Sequence, residues 1–244
     1  MRQFGLIGYP LSHSFSKTYF TEKFEKEALF NCCYENFSIA SITKLTGLIN
    51  NNAFLEGLNI TIPYKEQVLA FLSQQSEIVQ KIKACNCIKI RKGSLIGYNT
   101  DVIGFEISLK KQLLSHHTKA LILGTGGAGK AVEYVLTKLG IKYRYVSREA
   151  SFENYSYAEL NSSIVEEHTL IINTTPLGMY PDVNTYPPIP YECLTKRHYL
   201  FDAIYNPGKT MFLQKGEAQE ALIQNGLEML IIQAEESWKI WNET

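Results

Sequence analysis

The chain has 244 residues, and its 24 basic residues (Lys and Arg) balance 24 acidic residues, so the formal net charge is zero. Hydrophobic residues make up 45% of the sequence, which is enough apolar material for a packed core and excludes an intrinsically disordered chain. The charge balance argues against a large basic face for nucleic acid, because phosphate binding requires clustered Lys and Arg. The length fits one large domain or two smaller ones.

The five cysteines indicate a reducing compartment rather than a disulfide framework. Their number is odd, no pair has C-x-x-C spacing, and no cluster of Cys and His has the spacing of zinc ligands. They are predicted to be free thiols: Cys32, Cys33, Cys85, Cys87 and Cys193. The N-terminal sequence has no apolar segment of signal-peptide length, and no run approaches the roughly 18 apolar residues of a membrane span. We therefore expect a cytoplasmic protein that binds no metal and no membrane.

The first hundred residues alternate short apolar strands with helices. Strands are predicted at residues 3–7, 32–39, 58–62, 87–90 and 95–98, and helices at 17–26, 42–50, 65–72 and 77–83. Lys92 and Gly93 predict a tight turn between the last two strands. Strands separated by helices are typical of βαβ units, so a mostly parallel sheet is expected.

A second alternation begins near residue 100, where a domain boundary is predicted. Asp101 is suited to cap a helix that extends to about residue 114. Strands are predicted at residues 121–123, 143–146, 170–172 and 199–202, and helices at 128–139 and 226–241. Gly140 is suited to end the helix 128–139. The Pro-rich segment 186–190 is predicted to be a surface loop.

A glycine-rich turn, GTGGAGKA (124–131), follows the apolar strand 121–123 and opens the next helix. This is the context of a dinucleotide-binding fingerprint. Gly124 permits the tight turn, and Gly126 lets the backbone approach a pyrophosphate. The helix that begins near Ala128 presents unpaired N–H groups and a positive dipole end to the phosphates. A glycine-rich turn without a ligand is the alternative, but the flanking strand and helix favour a Rossmann-like dinucleotide site.

The residues after the strand 143–146 bear on the choice between NADP and NAD. NAD-specific sites place an acidic residue there to bind the ribose 2′-hydroxyl, whereas this chain has Ser147 followed by Arg148. An arginine at this position can pair with the 2′-phosphate of NADP and stack on the adenine. The charge of Glu149 opposes a phosphate, and a solvated surface arginine is the structural alternative. The sequence predicts NADP(H) as the cofactor.

Polar residues follow two of the predicted strands in the first part of the chain. Ser14 and Ser16 come after the first strand, where two hydroxyls can reach a polyhydroxylated ligand. Asn59 and Thr61 share one face of the predicted strand 58–62. The two serines alone would also fit ordinary turn and helix-cap positions.

Further polar residues lie between the predicted strand 58–62 and the predicted domain boundary near residue 100. Lys65 lies at the start of a predicted helix, and its amine is suited to proton transfer. Asn86 lies between two cysteines, and Asn99 and Asp101 lie at the suspected boundary. Each has a structural alternative, since a lysine can be solvated, an asparagine can satisfy a buried turn, and an aspartate can be a helix cap.

Together, the motifs resemble those of the shikimate dehydrogenase family. They occur in the family's order and span nearly the whole chain: GYPLSHSFS (8–16), GLNITIPYK (57–65), the Asn86 segment, GYNTDVIGF (97–105), GTGGAGKA (124–131), NTTPLGM (173–179), DAIYNPGKTMFL (202–213) and GLEMLIIQA…W (226–241). The resemblance implies the reversible reduction of 3-dehydroshikimate to shikimate with NADPH, in the pathway to chorismate and the aromatic amino acids. The expected partner is this small-molecule substrate, and the chain is expected to be a monomer or a homodimer.

The resemblance also implies the roles of individual residues, with Lys65 and Asp101 as the catalytic pair. The resemblance implies that Asp101 also holds the substrate. The other residues implied to hold or line it are Ser14, Ser16, Asn59, Thr61, Asn86, Asn99, Tyr205 and Gln233. The following residues are implied to bind the cofactor: Gly124, Gly126, Gly127, Ala128, Arg148, Thr174 and Met179. The chain departs from the family in having Ser147-Arg148-Glu149 in place of Asn-Arg-Thr, and in a short segment 151–167 that predicts a trimmed nucleotide domain.

The predicted fold is α/β with two domains: an N-terminal α/β substrate domain with a mostly parallel sheet, and a Rossmann-like NADP-binding domain. Residues 1–100 and 227–244 are assigned to the substrate-binding catalytic domain, because the final helix is expected to pack back on it. Residues 101–226 are assigned to the dinucleotide-binding domain. Two other functions stay open, a quinate/shikimate-type dehydrogenase of broader specificity and a non-catalytic sensor that binds shikimate or NADP.

Overall fold

The computed structural model describes residues 1–11, 15–149, 151 and 154–243, and the chain forms two compact units. Unit 1 consists of Met1–Thr100 and Ala234–Thr244, and unit 2 of Asp101–Gln233. The last helix of the chain therefore contributes its first residues to unit 2 and its remaining residues to unit 1.

Unit 1 contains a six-stranded sheet flanked by helices. Its elements in chain order are β1 (Arg2–Gly8), α1 (Phe15–Lys26), β2 (Cys32–Ser38), α2 (Leu45–Asn50), β3 (Leu55–Ile60), β4 (Gln74–Gln75), α3 (Glu77–Ile82), β5 (Cys87–Arg91) and β6 (Ser94–Tyr98). The strand order is β2-β1-β3-β5-β6-β4. β1 is parallel to β2 and β3, and β4 is parallel to β6, whereas β5 is antiparallel to β3 and β6. The predicted mostly parallel sheet is confirmed.

The interior strand β1 is largely buried because side chains on both of its faces are apolar. Phe4 and Leu6 lie on one face and Ile7 on the other, since alternate residues of a strand point to opposite sides. Phe20 and Phe24 of α1 pack in the same cluster as Phe4. The cluster around Ile7 includes residues of α2 and α3. Helices therefore cover both faces of the sheet.

Two short segments of unit 1 show how local sequence sets the backbone. Lys92 and Gly93 have positive φ angles of 49° and 79°, the conformation of a two-residue hairpin turn, which confirms the predicted turn. The segment predicted as a helix at 65–72 contains a short 3₁₀-helix, Gln67–Phe71. Lys65 consequently lies in the turn ahead of this helix.

Unit 2 contains a six-stranded sheet in which neighbouring strands are parallel. Its elements are α4 (Asp101–Lys110), β7 (Lys119–Leu123), α5 (Gly127–Lys138), β8 (Lys142–Ser147), β9 (Asn154–Ser156), α6 (Ser162–Glu167), β10 (Leu170–Asn173), β11 (Tyr199–Asp202), α7 (Met211–Glu217), β12 (Leu222–Gln224) and the first part of α8 (Leu227–Asn242). The strand order β9-β8-β7-β10-β11-β12 is the 3-2-1-4-5-6 order of doubly wound dinucleotide-binding sheets. The predicted Rossmann-like fold is confirmed.

The C-terminal part of α8, which belongs to unit 1, packs on the sheet of that unit. Trp241 stacks on Phe4 with ring centroids 4.8 Å apart, and its indole N–H donates to the Ile88 carbonyl over 3.0 Å. Gly57 of β3 leaves room for the indole, because a Cβ atom there would lie 2.3 Å from Trp241 Nε1. The predicted packing of the final helix on the first domain is confirmed.

The five cysteines are free thiols, as predicted. Among the residues that the structure describes, no helix has the length and apolar character needed to cross a lipid bilayer. Within those same residues, no group of three or more His, Cys, Asp or Glu side chains is arranged to hold a metal ion.

Candidate functional site

Buried polar side chains form a continuous hydrogen-bonded row in unit 1. This polar row consists of Ser16, Tyr34, Asn59, Ser237, Thr100 and Asn86, each at most 7% exposed. The Tyr34 hydroxyl donates to Asn59 Oδ1 over 2.9 Å, and Asn59 Nδ2 donates to Ser237 Oγ over 2.8 Å. The hydroxyl oxygens of Ser237 and Thr100 are 3.3 Å apart. Burial raises the pKa of Tyr34 well above its usual value, and a hydrogen bond with Ser16 partly offsets that rise.

Asn86 forms the last member of the row because the segment before β5 is fixed on several sides. Its Nδ2 donates to the Thr100 hydroxyl over 3.0 Å, and its Oδ1 accepts from the Thr100 backbone N–H over 2.7 Å. Asn99 Nδ2 donates to the carbonyl of Ala84 over 3.0 Å. The backbone N–H of Cys85 donates to the Lys65 carbonyl over 2.8 Å, so the Asn86 segment lies beside Lys65.

Thr61 and Lys65 follow β3, and both are half-buried. The Thr61 backbone N–H donates to the carbonyl of Ile7 over 2.9 Å, which ties Thr61 to the end of β1. Gly8 ends that strand, and a Cβ atom there would lie 2.5 Å from Thr61 Cγ2. The structure therefore brings Thr61, Lys65 and the Asn86 segment together at one edge of the sheet.

Asp101 and Gln233 lie on facing sides of two helices within unit 2. Asp101 is the first residue of α4 and Gln233 is part of α8, with exposed fractions of 6% and 7%. The two helices are closest at Gly104, where a Cβ atom would lie 2.5 Å from the Met229 carbonyl oxygen and 3.3 Å from Gln233 Cβ. Residues three apart share a helix face, so Asp101 lies on the face of α4 that meets Gln233.

The glycine turn of unit 2 joins β7 to α5. Gly124 has a φ angle of 100°, a conformation that glycine adopts readily. Gly129 packs the helix against this turn, since a Cβ atom there would lie 2.7 Å from the Gly124 carbonyl oxygen. Apart from Gly126 itself and its two chain neighbours, no described atom lies within 4 Å of the position that a Cβ atom of Gly126 would take. This open space before Gly127 and Ala128, at the N-terminus of a 12-residue helix, fits the pyrophosphate of a dinucleotide.

Side-chain hydrogen bonds tie together the loops at the carboxyl edge of the same sheet. The Thr174 hydroxyl donates to the Leu123 carbonyl over 2.8 Å and lies 3.2 Å from the Gly124 carbonyl oxygen. Asn173 Nδ2 donates to Asp202 Oδ1 over 3.0 Å, and the Thr210 hydroxyl donates to Asp202 Oδ2 over 2.5 Å. Burial raises the pKa of Asp202 to about 6, and its hydrogen-bond donors partly offset that rise. The loops that carry the predicted cofactor residues are thus anchored on a buried carboxyl group.

Three further predicted residues are accessible on loops at this carboxyl edge. Arg148 follows β8 and is exposed. Beside it, the Ser147 hydroxyl donates to the Glu149 carbonyl over 2.6 Å. Met179 is 40% exposed, and Tyr205 follows β11 and is half-buried. The three side chains are therefore available to a ligand within unit 2.

The site residues predicted from the sequence and the polar residues that the structure brings together are not the same set. Ser14 lies outside the described residues. The polar row also contains three residues that the sequence did not predict as site residues, namely Tyr34, Thr100 and Ser237. Thr100 carried a usable signal, because it belongs to the polar segment around Asp101, whereas an aromatic residue in a strand and a serine in a helix carried none.

The fold and these two sets of residues define a class, the nicotinamide-dependent oxidoreductases of two α/β units. A family model described as the shikimate dehydrogenase substrate binding domain matches residues 6–88. The curated shikimate dehydrogenase (NADP(+)) of Caldicellulosiruptor saccharolyticus is 34% identical over 259 aligned positions, which cover 99% of this chain and 92% of that protein.

Solved structures give the same picture. The crystal structure of shikimate dehydrogenase 1 from Peptoclostridium difficile has a TM-score of 0.86 and 35% identity, and the match covers 100% of this chain and 92% of that one. The crystal structure of shikimate 5-dehydrogenase from Thermus thermophilus, in complex with NADP(H) and shikimate, has a TM-score of 0.87 and 29% identity, with coverages of 99% and 94%. This chain belongs to the shikimate dehydrogenase family.

Proposed function

We propose that this protein catalyses the reversible reduction of 3-dehydroshikimate to shikimate with NADPH, on the route to chorismate and the aromatic amino acids. One observation carries the proposal. Relatives named shikimate dehydrogenase (NADP(+)) align with 99% of the chain, so the polar row of unit 1 and the glycine turn of unit 2 both lie within the aligned region.

We assign substrate binding to residues 1–100 and 227–244, and dinucleotide binding to residues 101–226. The first assignment is supported by the match of residues 6–88 to a model of a substrate binding domain. The second is supported by the strand order of unit 2 and by its glycine turn.

The proposed cofactor is NADP(H), which supplies or accepts the hydride when it is bound. Its pyrophosphate would be held by the turn and the helix N-terminus at Gly124, Gly126, Gly127 and Ala128. Arg148 would pair with the 2′-phosphate, since a guanidinium binds phosphate in a bidentate manner. Thr174 and Met179 would lie beside the nicotinamide.

The proposed substrate contacts are hydroxyl, amide and phenol groups, which suit a carboxylate and several ring hydroxyls. They are Ser14, Ser16, Thr61, Asn86, Asn99, Tyr205 and Gln233, together with the catalytic pair. Asn59, which the sequence also predicts as a contact, makes its hydrogen bonds to Tyr34, Ser237 and Asn86 within the protein. Polar groups that are fixed before the substrate arrives lose little conformational freedom on binding, which favours affinity.

Lys65 and Asp101 are the proposed catalytic pair. When the carbonyl carbon is reduced, negative charge develops on its oxygen, and that oxygen needs a proton. The Lys65 ammonium would donate this proton, and the Asp101 carboxylate would share in the proton transfer as the second member of the pair. In the reverse direction the amine of Lys65 accepts the proton of the hydroxyl that is oxidised.

Absorbance at the band of reduced nicotinamide tests the proposal directly. Purified protein is mixed with shikimate and with either NADP or NAD, and then with quinate in place of shikimate. We expect an increase in absorbance with shikimate and NADP. An equal rate with quinate would indicate the broader dehydrogenase, and binding of shikimate without turnover would indicate the sensor.

We further propose that the protein acts in the cytoplasm as a monomer or homodimer, with no nucleic-acid or membrane partner. The free thiols of its five cysteines support a reducing compartment. Size-exclusion chromatography with light scattering would distinguish the two oligomeric states.

A further inference from the structure

The Asn59 side chain makes its hydrogen bonds inside the protein. Its Oδ1 accepts from Tyr34 over 2.9 Å, and its Nδ2 donates to Ser237 Oγ over 2.8 Å and to the Asn86 carbonyl over 3.3 Å. A carboxamide has two N–H donors and one carbonyl oxygen, so these contacts use both donors and one of the two lone pairs. With an exposed fraction of 4%, Asn59 connects neighbouring side chains rather than extending toward a ligand.

We propose that Tyr34, Asn59 and Ser237 are positioning residues for the substrate pocket. Their buried hydrogen bonds hold Ser16 at one end of the polar row and Asn86 at the other. The inference rests on the proposed function, because Ser16 and Asn86 are proposed substrate contacts.

Tyr34 fixes the Ser16 end of the row. Its ring stacks on Phe20 of α1 with centroids 4.6 Å apart, and Phe20 lies one helical turn after Ser16, on the same face. The Tyr34 phenol donates its proton to Asn59, so the Ser16 hydroxyl must be the donor in its own hydrogen bond with Tyr34. This bond orients the Ser16 hydroxyl and leaves its oxygen lone pairs for a ligand.

Ser237 fixes the Asn86 end from the last helix. Its side chain is completely buried, and its hydroxyl lies between Asn59 Nδ2 at 2.8 Å and Thr100 Oγ1 at 3.3 Å. Thr100 in turn holds both ends of the Asn86 carboxamide, through its hydroxyl at 3.0 Å and its backbone N–H at 2.7 Å. Loss of the Ser237 hydroxyl would therefore remove one of the contacts that position Thr100 and, through it, the Asn86 amide.

Two substitutions that each delete one oxygen test the proposal. Tyr34→Phe removes the phenol oxygen and Ser237→Ala removes the hydroxyl. We expect the KM for shikimate to rise on the order of tenfold in each variant, the equivalent of one lost net hydrogen bond, while the KM for NADP is unchanged. Steady-state kinetics with both ligands varied, together with the thermal midpoint of each variant, give the necessary measurements.

Tyr191→Phe is the matched control. Tyr191 is a buried tyrosine of unit 2 whose hydroxyl donates to the Pro187 carbonyl over 2.8 Å, so the same oxygen is deleted away from the polar row. A lower thermal midpoint with both KM values unchanged in Tyr34→Phe and Ser237→Ala would overturn the proposal, because it is the signature of a purely structural role. Equal increases in the KM for shikimate and for NADP would also overturn it.

The experiment separates this inference from the proposed function. If the wild type oxidises shikimate but Tyr34→Phe and Ser237→Ala keep its KM, the inference fails alone. If the wild type does not oxidise shikimate with either NADP or NAD, the proposed function fails, and the inference fails with it. The two substitutions lie on different elements, β2 and α8, so either variant decides the question if the other does not fold.

Discussion

Lys65 is the side chain on which the proposed chemistry depends most directly. Replacing it by Met keeps the length of the side chain and removes the ammonium. Because the developing oxyanion then lacks its proton donor, kcat is expected to fall by about 10²–10⁴-fold, with little change in the KM for shikimate. Lys81→Met, at an exposed position of α3, is the control and should keep the kcat of the wild type. A normal kcat in Lys65→Met would show that another group is the acid.

Arg148 is expected to set the preference for NADP. A charge-assisted hydrogen bond contributes about 1.5–3 kcal/mol, so Arg148→Ala should lower kcat/KM for NADPH by about tenfold or more and leave the value for NADH unchanged. The measured quantity is the ratio of kcat/KM for NADPH to that for NADH. Arg91→Ala, at an exposed arginine of unit 1, serves as the control. A wild type that prefers NADH, or a ratio that does not respond to Arg148→Ala, contradicts the assignment.

At the residue level, the sequence reveals groups whose chemistry does not fit their surroundings. Lys65 and Asn86 could be singled out because they interrupt apolar segments near strand ends. Tyr34 and Ser237 could not, since a tyrosine in a strand and a serine in a helix satisfy ordinary packing. Their hydroxyls acquire significance through Asn59, which contacts both in the folded chain.

Among the elements, Gly104 controls how closely α4 and α8 approach each other in unit 2. In Gly104→Ala the new methyl group would meet the Met229 carbonyl at 2.5 Å, and a backbone atom cannot avoid it by changing rotamer. The helices must separate, which displaces Gln233 from Asp101. We expect the KM for shikimate to rise about tenfold or more, and the overpacking to cost about 1–3 kcal/mol of stability.

Gly47→Ala is the matched control for that substitution. Gly47 lies in α2, and beyond its chain neighbours and the nearby backbone of that helix no described atom is within 4 Å of the position of its added Cβ. The alanine should leave the KM for shikimate unchanged and stabilise the protein by up to about 1 kcal/mol, because glycine is a poor helix former. Kinetics and thermal unfolding of both variants provide the comparison. A KM in Gly104→Ala as low as that in Gly47→Ala would argue against the steric account.

Elements with a strong apolar pattern could be predicted, and short ones could not. β10 and β11 are fully buried runs and β7 is buried after Lys119, and the sequence located all three. β4, β9 and β12 contain two or three residues each, too few to show a period. The helix predicted to extend to about residue 114 ends at Lys110. α6 and α7 begin at capping side chains, Asn161 and Thr210, which a closer search for helix starts would have found.

For the molecule as a whole, acidification below neutrality is expected to reduce stability. Burial lowers the pKa of His117 and of His168 below the ordinary value of 6.5. Near and below pH 6.5 these two histidines therefore bind more protons in the unfolded chain than in the folded chain. Their stabilising contribution to the free energy of unfolding is present above pH 6.5 and is lost as the pH falls. Asp202 acts in the opposite sense, because its raised pKa of about 6 lets the folded chain keep a proton that the unfolded chain releases.

Between about pH 7.5 and pH 6 the two histidines are expected to dominate the change in thermal midpoint, because Asp202, with a pKa of about 6, is at most half protonated there; comparison with His117→Gln, which keeps Asp202, isolates the effect of His117. We expect the midpoint to fall across this interval. His117→Gln, which cannot be protonated, should show a shallower fall. A midpoint that stays constant or rises on acidification would contradict the assignment of neutral buried histidines.

The return of α8 makes unit 1 depend on residues far along the chain. Lys89 is 9% exposed, and its ammonium donates to the carbonyl of Ile240 over 2.8 Å. A fragment of residues 1–100 would lose this acceptor and would expose to water the apolar surface that Trp241 covers, including Phe4. Both losses are destabilising. We expect the fragment to show no cooperative thermal transition in circular dichroism, in contrast to the full chain. A transition at the temperature of the full chain would show that unit 1 folds without α8.

A ribosome makes the chain from its N-terminus, and the position of Trp241 has a consequence for that process. All strands of the unit 1 sheet have been synthesised by residue 98, yet the indole that covers Phe4 is added only at residue 241. While unit 2 is being translated, the apolar surface around Phe4 in the nascent sheet therefore stays exposed, because Trp241 has not yet been added. An exposed apolar face binds chaperones or other incompletely folded chains, so the yield of this protein in a cell should depend on how quickly translation proceeds from residue 98 to residue 241.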